Sequence, residues 1–120
     1  MDQQLRVLVV DDDAQIRALI ATALAARGYT VTQAGDGTAG LAAAMAWSPD
    51  LLVTDLDMPG LDGRDLAERL ATHFQGLRVL FVSGREAGAQ LENLPGRRRF
   101  LPKPFSVADL VRTVATLTSC

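Results

Sequence analysis

The sequence predicts an α/β fold in which five parallel strands form one sheet with helices packed on both faces. Two apolar runs end in aspartate: residues 5–10 are followed by Asp11, and residues 50–54 are followed by Asp55. Short apolar runs bounded by turn residues are typical of strands that are buried on both faces. Such runs alternate along the chain with stretches of helical periodicity, and this strict alternation indicates a doubly wound parallel sheet.

The five strands follow from apolar runs and from the alternation of apolar and polar residues. They are predicted over residues 5–10, 29–34, 50–55, 78–82 and 100–101. Right-handed crossovers between parallel strands place the carboxyl ends of all the strands along one edge of the sheet. In an open α/β sheet that edge forms the binding crevice.

The helices follow from capping residues and from apolar positions that recur every three or four residues. They are predicted over residues 14–27, 38–47, 63–74, 85–94 and 107–117. Asp13, Asp62 and Ser106 are predicted N-caps, and Gly28 is a predicted C-cap. The fourth helix is predicted to be short or irregular because a Pro-Gly pair follows it.

Size and composition are those of one globular domain over residues 1–120. Apolar residues make up 48% of the chain, charged residues make up 22%, and the formal net charge is −2. This charge argues against a general attraction to nucleic acid or to a membrane surface. The apolar stretches are far shorter than a membrane span, a signal-peptide pattern is lacking, and Cys120 is the only cysteine. We therefore expect a cytoplasmic protein.

Polar side chains follow the predicted strands where the carboxyl ends meet. They are Asp11, Asp12, Asp55, Ser83 and Lys103. Acidic groups brought into one small space repel each other, and a bound cation relieves that repulsion. Carboxylates are hard oxygen ligands, so the sequence predicts a site for a divalent metal, Mg²⁺ or Mn²⁺. Asp13 is an alternative ligand, but we interpret it as the helix cap.

Lys103 stands out by composition. The chain has eleven arginines and one lysine, and that lysine lies between two prolines directly after the last predicted strand. Chance in an arginine-rich chain would explain this choice, but the position beside the acidic edge favours a function. A compact ammonium group on a flexible stem suits a site that needs a point charge.

Four segments together resemble the receiver domain of two-component response regulators, over essentially the whole chain. They are residues 9–13 (VVDDD), 53–63 (VTDLDMPGLDG), 82–84 (VSG) and 103–105 (KPF). Any one of them would be weak evidence, but all four in this order in an α/β chain of this length are highly specific. The resemblance implies a flavodoxin-like sheet with strand order 2-1-3-4-5.

The resemblance implies a role for each acidic residue of this edge. Asp55 is implied to be the phosphoacceptor. Asp11 and Asp12 are implied to hold Mg²⁺ together with Asp55 and the backbone carbonyl of Asp57. Lys103 is implied to pair with the phosphoryl group. Elementary chemistry agrees with these roles, because phosphoryl transfer depends mainly on positioning and on stabilising charge on the oxygens.

Ser83 and Phe100 are the implied switch residues. Phosphorylation adds about two negative charges and three acceptor oxygens, which should draw the Ser83 hydroxyl toward the phosphoryl group. The space that it leaves would let Phe100 turn inward and alter the face formed by the fourth helix, the last strand and the last helix. Phe100 lacks the hydroxyl of a tyrosine, so this switch would rest on packing. The resemblance also implies a possible homodimer through that face and a cis peptide bond before Pro104.

Two further residues are predicted to modulate hydrolysis of the phosphorylated state. Asp57 lies two residues after Asp55, and Arg85 lies two residues after Ser83. Both should flank the path of the water that attacks the phosphoryl group. We hypothesise that Asp57 and Arg85 pair across the open site and slow the approach of that water.

The leading functional interpretation is a signalling module that takes a phosphoryl group from a histidine kinase or a histidine phosphotransfer protein. It would not be an enzyme beyond its own phosphotransfer and autodephosphorylation. A haloacid-dehalogenase-type phosphatase is an alternative, because residues 53–57 resemble the start of the DxD motif, but Pro59 stands where that motif needs Thr or Val. A pseudo-receiver that binds partners without phosphorylation is another. The domain is either stand-alone or part of a hybrid kinase or a longer regulator.

Overall fold

The structure, a computed structural model, describes residues 4–84 and 97–119. Within them the strands are β1 (Arg6–Val10), β2 (Thr30–Ala34), β3 (Leu51–Asp55), β4 (Arg78–Gly84) and β5 (Arg98–Lys103). The helices are α1 (Ala14–Ala25), α2 (Gly37–Trp47), α3 (Gly63–Ala71) and α4 (Val107–Thr118). The helix predicted over 85–94 lies outside the described residues.

All five strands run parallel in the order β2-β1-β3-β4-β5, which confirms the predicted sheet. The chain begins at β1, moves outward to β2, and then crosses back to β3 before it continues to β5 at the other edge. This reversal lies between β1 and β3. It opens a crevice at the carboxyl ends of these two strands, because the connections leave them in opposite directions.

Two hydrophobic cores cover the two faces of the sheet, because successive strand residues point to opposite sides. In β1, Leu8 and Val10 belong to the core that includes buried residues of α2 and α3. Val7 and Val9 belong to the other core, which includes buried residues of α1 and α4. The strands are therefore buried on both faces, as their continuous apolar runs predict.

The predicted N-caps of three helices are confirmed. Asp13, Asp62 and Ser106 each accept a hydrogen bond from a backbone N–H of the first helical turn, at distances between 2.8 and 3.2 Å. Such caps satisfy donors that have no partner inside the helix. The caps of α1 and α3 also fix where the chain leaves β1 and the loop after β3, on either side of the crevice.

Two helices end earlier than the sequence predicts. α1 ends at Ala25 rather than at residue 27, and its C-cap is Ala26 rather than the predicted Gly28, which adopts φ +95° in the following turn. α3 ends at Ala71 rather than near Phe74. The Phe74 side chain packs against a core from the turn after the helix, so its apolar character reflects burial and not helical periodicity.

β4 and β5 are longer than predicted. β4 continues through Gly84, so Ser83 lies inside the strand. β5 covers six residues instead of the two predicted. The prediction is too short because Arg98, Arg99 and Pro102 are not typical of a buried strand. β5 is at the edge of the sheet, where charged residues and proline are tolerated.

Candidate functional site

Three polar side chains are buried where the carboxyl ends of neighbouring strands meet. Asp11 follows β1 and is 0% exposed, Asp55 ends β3 and is 6% exposed, and Ser83 in β4 is 1% exposed. β4 pairs with β5 so that Gly84 lies opposite Lys103, which brings the lysine to the same edge. The structure thus places together four side chains that are widely separated in the sequence.

Lys103 bridges the two buried carboxylates. Its Nζ donates to Asp11 Oδ2 and to Asp55 Oδ2, each at 3.2 Å. The lysine side chain is 24% exposed, so it is partly open to solvent, whereas the side chains of the two acids are buried. One ammonium therefore serves two carboxylates, and the site retains an excess of negative charge.

The Asp55 carboxylate is held at both oxygens. Oδ1 accepts from the backbone N–H of Asp57 at 3.2 Å, while Oδ2 accepts from Lys103. The Asp55 main chain is also engaged, since the Thr54 hydroxyl donates to its carbonyl at 2.9 Å. Asp55 is consequently oriented by contacts from its own loop and from the far edge of the sheet.

The pKa of Asp11 is raised from its ordinary value of 3.8. Burial is the main cause, because it disfavours the charged form. The backbone N–H of Asp13, which donates to Asp11 Oδ1 at 2.9 Å, and the charge of Lys103 oppose this effect without cancelling it. Asp11 is thus a carboxylate whose ionised form the protein alone does not fully stabilise.

The pKa of Lys103 is also raised, from its ordinary value of 10.5. Burial lowers the pKa, but the combined charges and hydrogen bonds of Asp11 and Asp55 outweigh burial. Because its pKa is raised above 10.5, the lysine is charged at neutral pH. A fixed positive charge beside Asp55 is available to a second anionic group.

Asp12 completes a cluster that could hold a metal ion. One carboxylate oxygen from each of Asp11, Asp12 and Asp55 lies within 4.8 Å of the other two. Asp12 is exposed while the other two are buried, so the cluster opens toward solvent. Three hard oxygen donors with an open side fit Mg²⁺, which keeps several waters and takes few protein carboxylates.

Asp13 is not part of this cluster in the described structure, and its carboxylate caps α1 instead. This outcome agrees with its interpretation as a helix cap. Asp57 is exposed, and its side chain accepts a hydrogen bond from the Ser83 hydroxyl at 3.2 Å. The sequence does not predict that contact, because it depends on the path of the loop that carries Asp57 after β3.

Phe100, Pro104 and Arg85 are the remaining predicted residues. Phe100 lies opposite Phe81 in the sheet register and is partly buried against a core. The peptide bond before Pro104 is cis, as the resemblance implies. Arg85 lies outside the described residues, so its pairing with Asp57 stays a prediction.

Two glycines give the site its shape. A Cβ built on Gly63 would lie 2.0 Å from the carbonyl oxygen of Asp55, and one on Gly37 would lie 2.1 Å from the carbonyl oxygen of Leu61. Both distances are far below van der Waals contact. The amino ends of α2 and α3 can therefore approach the loop after β3 only because these positions lack a side chain. The sequence analysis did not single out these two glycines.

Among residues 4–84 and 97–119, no helix is both long and apolar enough to cross a membrane.

Comparison with known proteins agrees with this geometry. The chain matches the response regulator receiver domain family over residues 7–115. It is 33% identical over 117 residues to the probable transcriptional regulatory protein TcrX of Mycobacterium tuberculosis, covering 96% of this chain and 50% of that protein. It is 38% identical to the sensor kinase CckA of Brucella abortus, covering 90% of this chain and 12% of the kinase.

Solved structures give the same result. The chemotaxis response regulator CheY4 of Vibrio cholerae superposes with a TM-score of 0.84 at 28% identity, covering 96% of this chain and 99% of that one. The chain spans half or less of the length of the curated relatives named above. The family match covers residues 7–115, whereas the resemblance to the DxD motif of a phosphatase is limited to residues 53–57. The family match is therefore the stronger evidence. This protein belongs to the family of receiver domains of two-component response regulators.

Proposed function

We propose that this receiver domain, comprising residues 1–120, accepts a phosphoryl group on Asp55 from a histidine kinase or a histidine phosphotransfer protein. The observation that carries the proposal is Lys103 Nζ, which lies 3.2 Å from both Asp55 Oδ2 and Asp11 Oδ2. A lysine that already contacts the acceptor oxygen can move onto a phosphoryl oxygen with little rearrangement. The attacking group and its charge stabiliser are thus in place before the donor arrives.

The proposed reaction is a displacement at phosphorus. An Asp55 carboxylate oxygen forms the new P–O bond as the P–N bond to the donor imidazole breaks, and the imidazole takes up the electron pair. The backbone N–H of Asp57 holds Asp55 Oδ1, and the ammonium group of Lys103 stabilises charge on the transferred oxygens. Mg²⁺ or Mn²⁺, held by Asp11, Asp12, Asp55 and the Asp57 carbonyl, would supply further charge neutralisation.

The proposed switch begins at Ser83. Its hydroxyl donates to Asp57 Oδ2, and it must leave this acceptor before it can donate to a phosphoryl oxygen. Phe100 would then turn inward on β5, and the change would reach the face that includes β5 and α4. We propose this face as the surface through which the phosphorylated domain forms a homodimer or contacts a partner.

Asp57 is the residue that we propose to modulate hydrolysis, together with Arg85. The Asp57 side chain is exposed, and we place it beside the path of the attacking water.

We propose no separate enzymatic activity and no binding to nucleic acid or to a membrane. We place the domain in the cytoplasm, because a histidine kinase obtains the phosphoryl group from ATP.

Treatment with acetyl phosphate and Mg²⁺, followed by intact-mass measurement, tests the phosphoacceptor. We expect the wild type to gain one phosphoryl group, Asp55→Asn to gain none, and the matched control Asp50→Asn to behave as the wild type. Labelling of Asp55→Asn at the wild-type level would overturn the assignment. A wild type that is not labelled by acetyl phosphate or by any histidine kinase would favour a pseudo-receiver.

A further inference from the structure

Arg17 on α1 reaches back to the acidic edge of the sheet. Its Nη1 donates to the backbone carbonyl of Asp11 at 2.8 Å. Arg17 lies in the first turn of α1, where its backbone N–H bonds the carbonyl of Asp13 at 2.9 Å. Side chains in a helix lean toward its amino end, so an arginine at this position is directed at the loop that carries the acidic pair.

Gly35 provides the space for the Arg17 guanidinium group. A Cβ built on Gly35 would lie 3.2 Å from Arg17 Nη1 and 3.9 Å from its Cζ. Gly35 directly follows β2, the neighbour of β1. The guanidinium group therefore lies between the ends of two adjacent strands, and it is partly buried there.

The contact fixes the peptide unit between Asp11 and Asp12. Asp11 is already held at its backbone N–H, which donates to Ala34 at 3.3 Å, and at its carboxylate, which accepts from Asp13. Asp12 is exposed, and its carboxylate has no hydrogen-bond partner among residues 4–84 and 97–119. Among these residues, the Arg17 contact is the side-chain bond that restrains the carbonyl side of this peptide unit.

We propose that Arg17 is a positioning residue for the metal pair Asp11 and Asp12. By holding the Asp11 carbonyl, Arg17 keeps the two consecutive carboxylates directed at one point beside Asp55. The inference rests on the proposed function, because it assumes that this point binds Mg²⁺. Partners that orient metal ligands without contacting the metal typically change affinity by about tenfold or more when they are removed.

Positioning and charge make opposite predictions for Arg17. A guanidinium group near three carboxylates repels a divalent cation, so its removal strengthens Mg²⁺ binding if charge alone matters. If positioning dominates, its removal weakens Mg²⁺ binding, because the Asp12 carboxylate must then be ordered when the metal binds. The sign of the change therefore separates the two effects.

Calorimetric titration with Mg²⁺ alone tests the inference on purified protein. We expect Arg17→Ala to bind Mg²⁺ about tenfold more weakly than the wild type, and Arg17→Lys to recover part of the loss. Arg27→Ala, which removes an exposed arginine in the turn after α1, is the matched control and should bind as the wild type. Equal or tighter binding by Arg17→Ala would overturn the inference.

A second variant and a second measurement keep the inference testable if Arg17→Ala does not fold. If Arg17→Ala does not fold, Gly35→Ala displaces the guanidinium group while keeping its charge, and we expect a smaller loss of affinity in the same direction. Hydrogen exchange of the Asp12 and Asp13 amides, followed by NMR without metal, should be faster in Arg17→Ala. A wild type that fails to bind Mg²⁺ would contradict the proposed function, whereas unchanged affinity and exchange in Arg17→Ala would contradict this inference alone.

Discussion

Each end of the sheet carries both acidic and basic residues, but the contacts of these residues differ between the ends. At the amino end, the Arg6 N–H donates to Asp50 Oδ2 at 2.9 Å, and Arg6 Nη1 donates to the Trp47 carbonyl at 2.7 Å. The Asp50 N–H returns a bond to the Arg6 carbonyl at 2.8 Å, and the guanidinium lies over the Trp47 ring. These groups are at least partly exposed, and they pair backbone groups at the start of β1 with those at the end of α2 and before β3.

At the carboxyl end, two buried carboxylates share one ammonium group. Asp11 and Asp55 contact Lys103, but this single cation does not prevent burial from raising the pKa of Asp11. The charges at the amino end thus stabilise the fold and need nothing else. Those at the carboxyl end are out of balance in the protein alone, because one ammonium group contacts two buried carboxylates. We infer that charge imbalance under burial, and not charge itself, marks the functional end.

Glycine substitutions should show the largest difference between the ends. Gly63→Ala places a methyl group 2.0 Å from the Asp55 carbonyl oxygen, so we expect a loss of at least ~3 kcal/mol in the free energy of unfolding. Gly76→Ala, in the loop before β4, meets no atom within 4 Å, and we expect a change within about 0.5 kcal/mol. Urea unfolding measures both. If Gly63→Ala lost as little stability as we expect for Gly76→Ala, the carboxyl end would not be sterically constrained at Gly63.

Removal of the basic side chain at each end should give the next largest difference in stability. Lys103→Met leaves two buried carboxylates without a counter-charge, and we expect a loss of ~2 kcal/mol in the metal-free protein at neutral pH. Arg6→Met removes bonds at an exposed position and should cost less than ~1 kcal/mol. Urea unfolding in EDTA is the measurement. If the Arg6 variant lost more stability, our distinction between the ends would be wrong.

Neutralising one acid at each end should stabilise the protein at the carboxyl end and change its stability little at the amino end. Asp11→Asn removes a buried charge while its amide oxygen can still accept from the Asp13 N–H, so we expect a gain of ~1 kcal/mol without metal. Asp50→Asn keeps an acceptor for the Arg6 N–H at a partly exposed position, so the change should be within ~0.5 kcal/mol. A loss of stability in metal-free Asp11→Asn would contradict the imbalance at the carboxyl end.

The pH dependence of stability should show a smaller effect of the same origin. Because the pKa of Asp11 is raised above 3.8 on folding, the folded state binds its proton more tightly than the unfolded state. The stability from this group is fully present below pH 3.8 and is lost as the pH rises through the raised pKa. In EDTA, the advantage of Asp11→Asn over the wild type should therefore grow with pH. A constant difference would mean that Asp11 does not titrate abnormally.

The sequence predicts the carboxyl end better than the amino end. Asp11, Asp55, Ser83 and Lys103 can be placed together because each follows an apolar strand, and parallel strands end along one edge. The helix caps that border the crevice are equally visible, since Asp13 and Asp62 stand directly before helical patterns. By contrast, the contacts at the amino end join side chains to backbone atoms of another loop, and no residue pattern encodes them.

The features that the sequence analysis missed are long-range or conformational. The Ser83–Asp57 bond and the close approach of Gly63 to Asp55 depend on the path of the loop after β3, which periodicity does not describe. The length of β5 was underestimated because an edge strand need not be apolar. Arg17 had a usable signal, because a basic residue one turn after an N-cap leans back toward that cap. In the sequence analysis, Arg17 is only one position of the helix predicted over residues 14–27.

The contact between Lys103 and the acids also constrains how the protein is made. Asp55 precedes Lys103 by 48 residues, and Asp11 precedes it by 92. Since a ribosome delivers the chain from its amino end, the first three strands emerge with both acids and without their counter-charge. Docking of β5 then brings the one ammonium group that contacts both acids. We therefore expect the complete site to form only after residue 103 has left the ribosome.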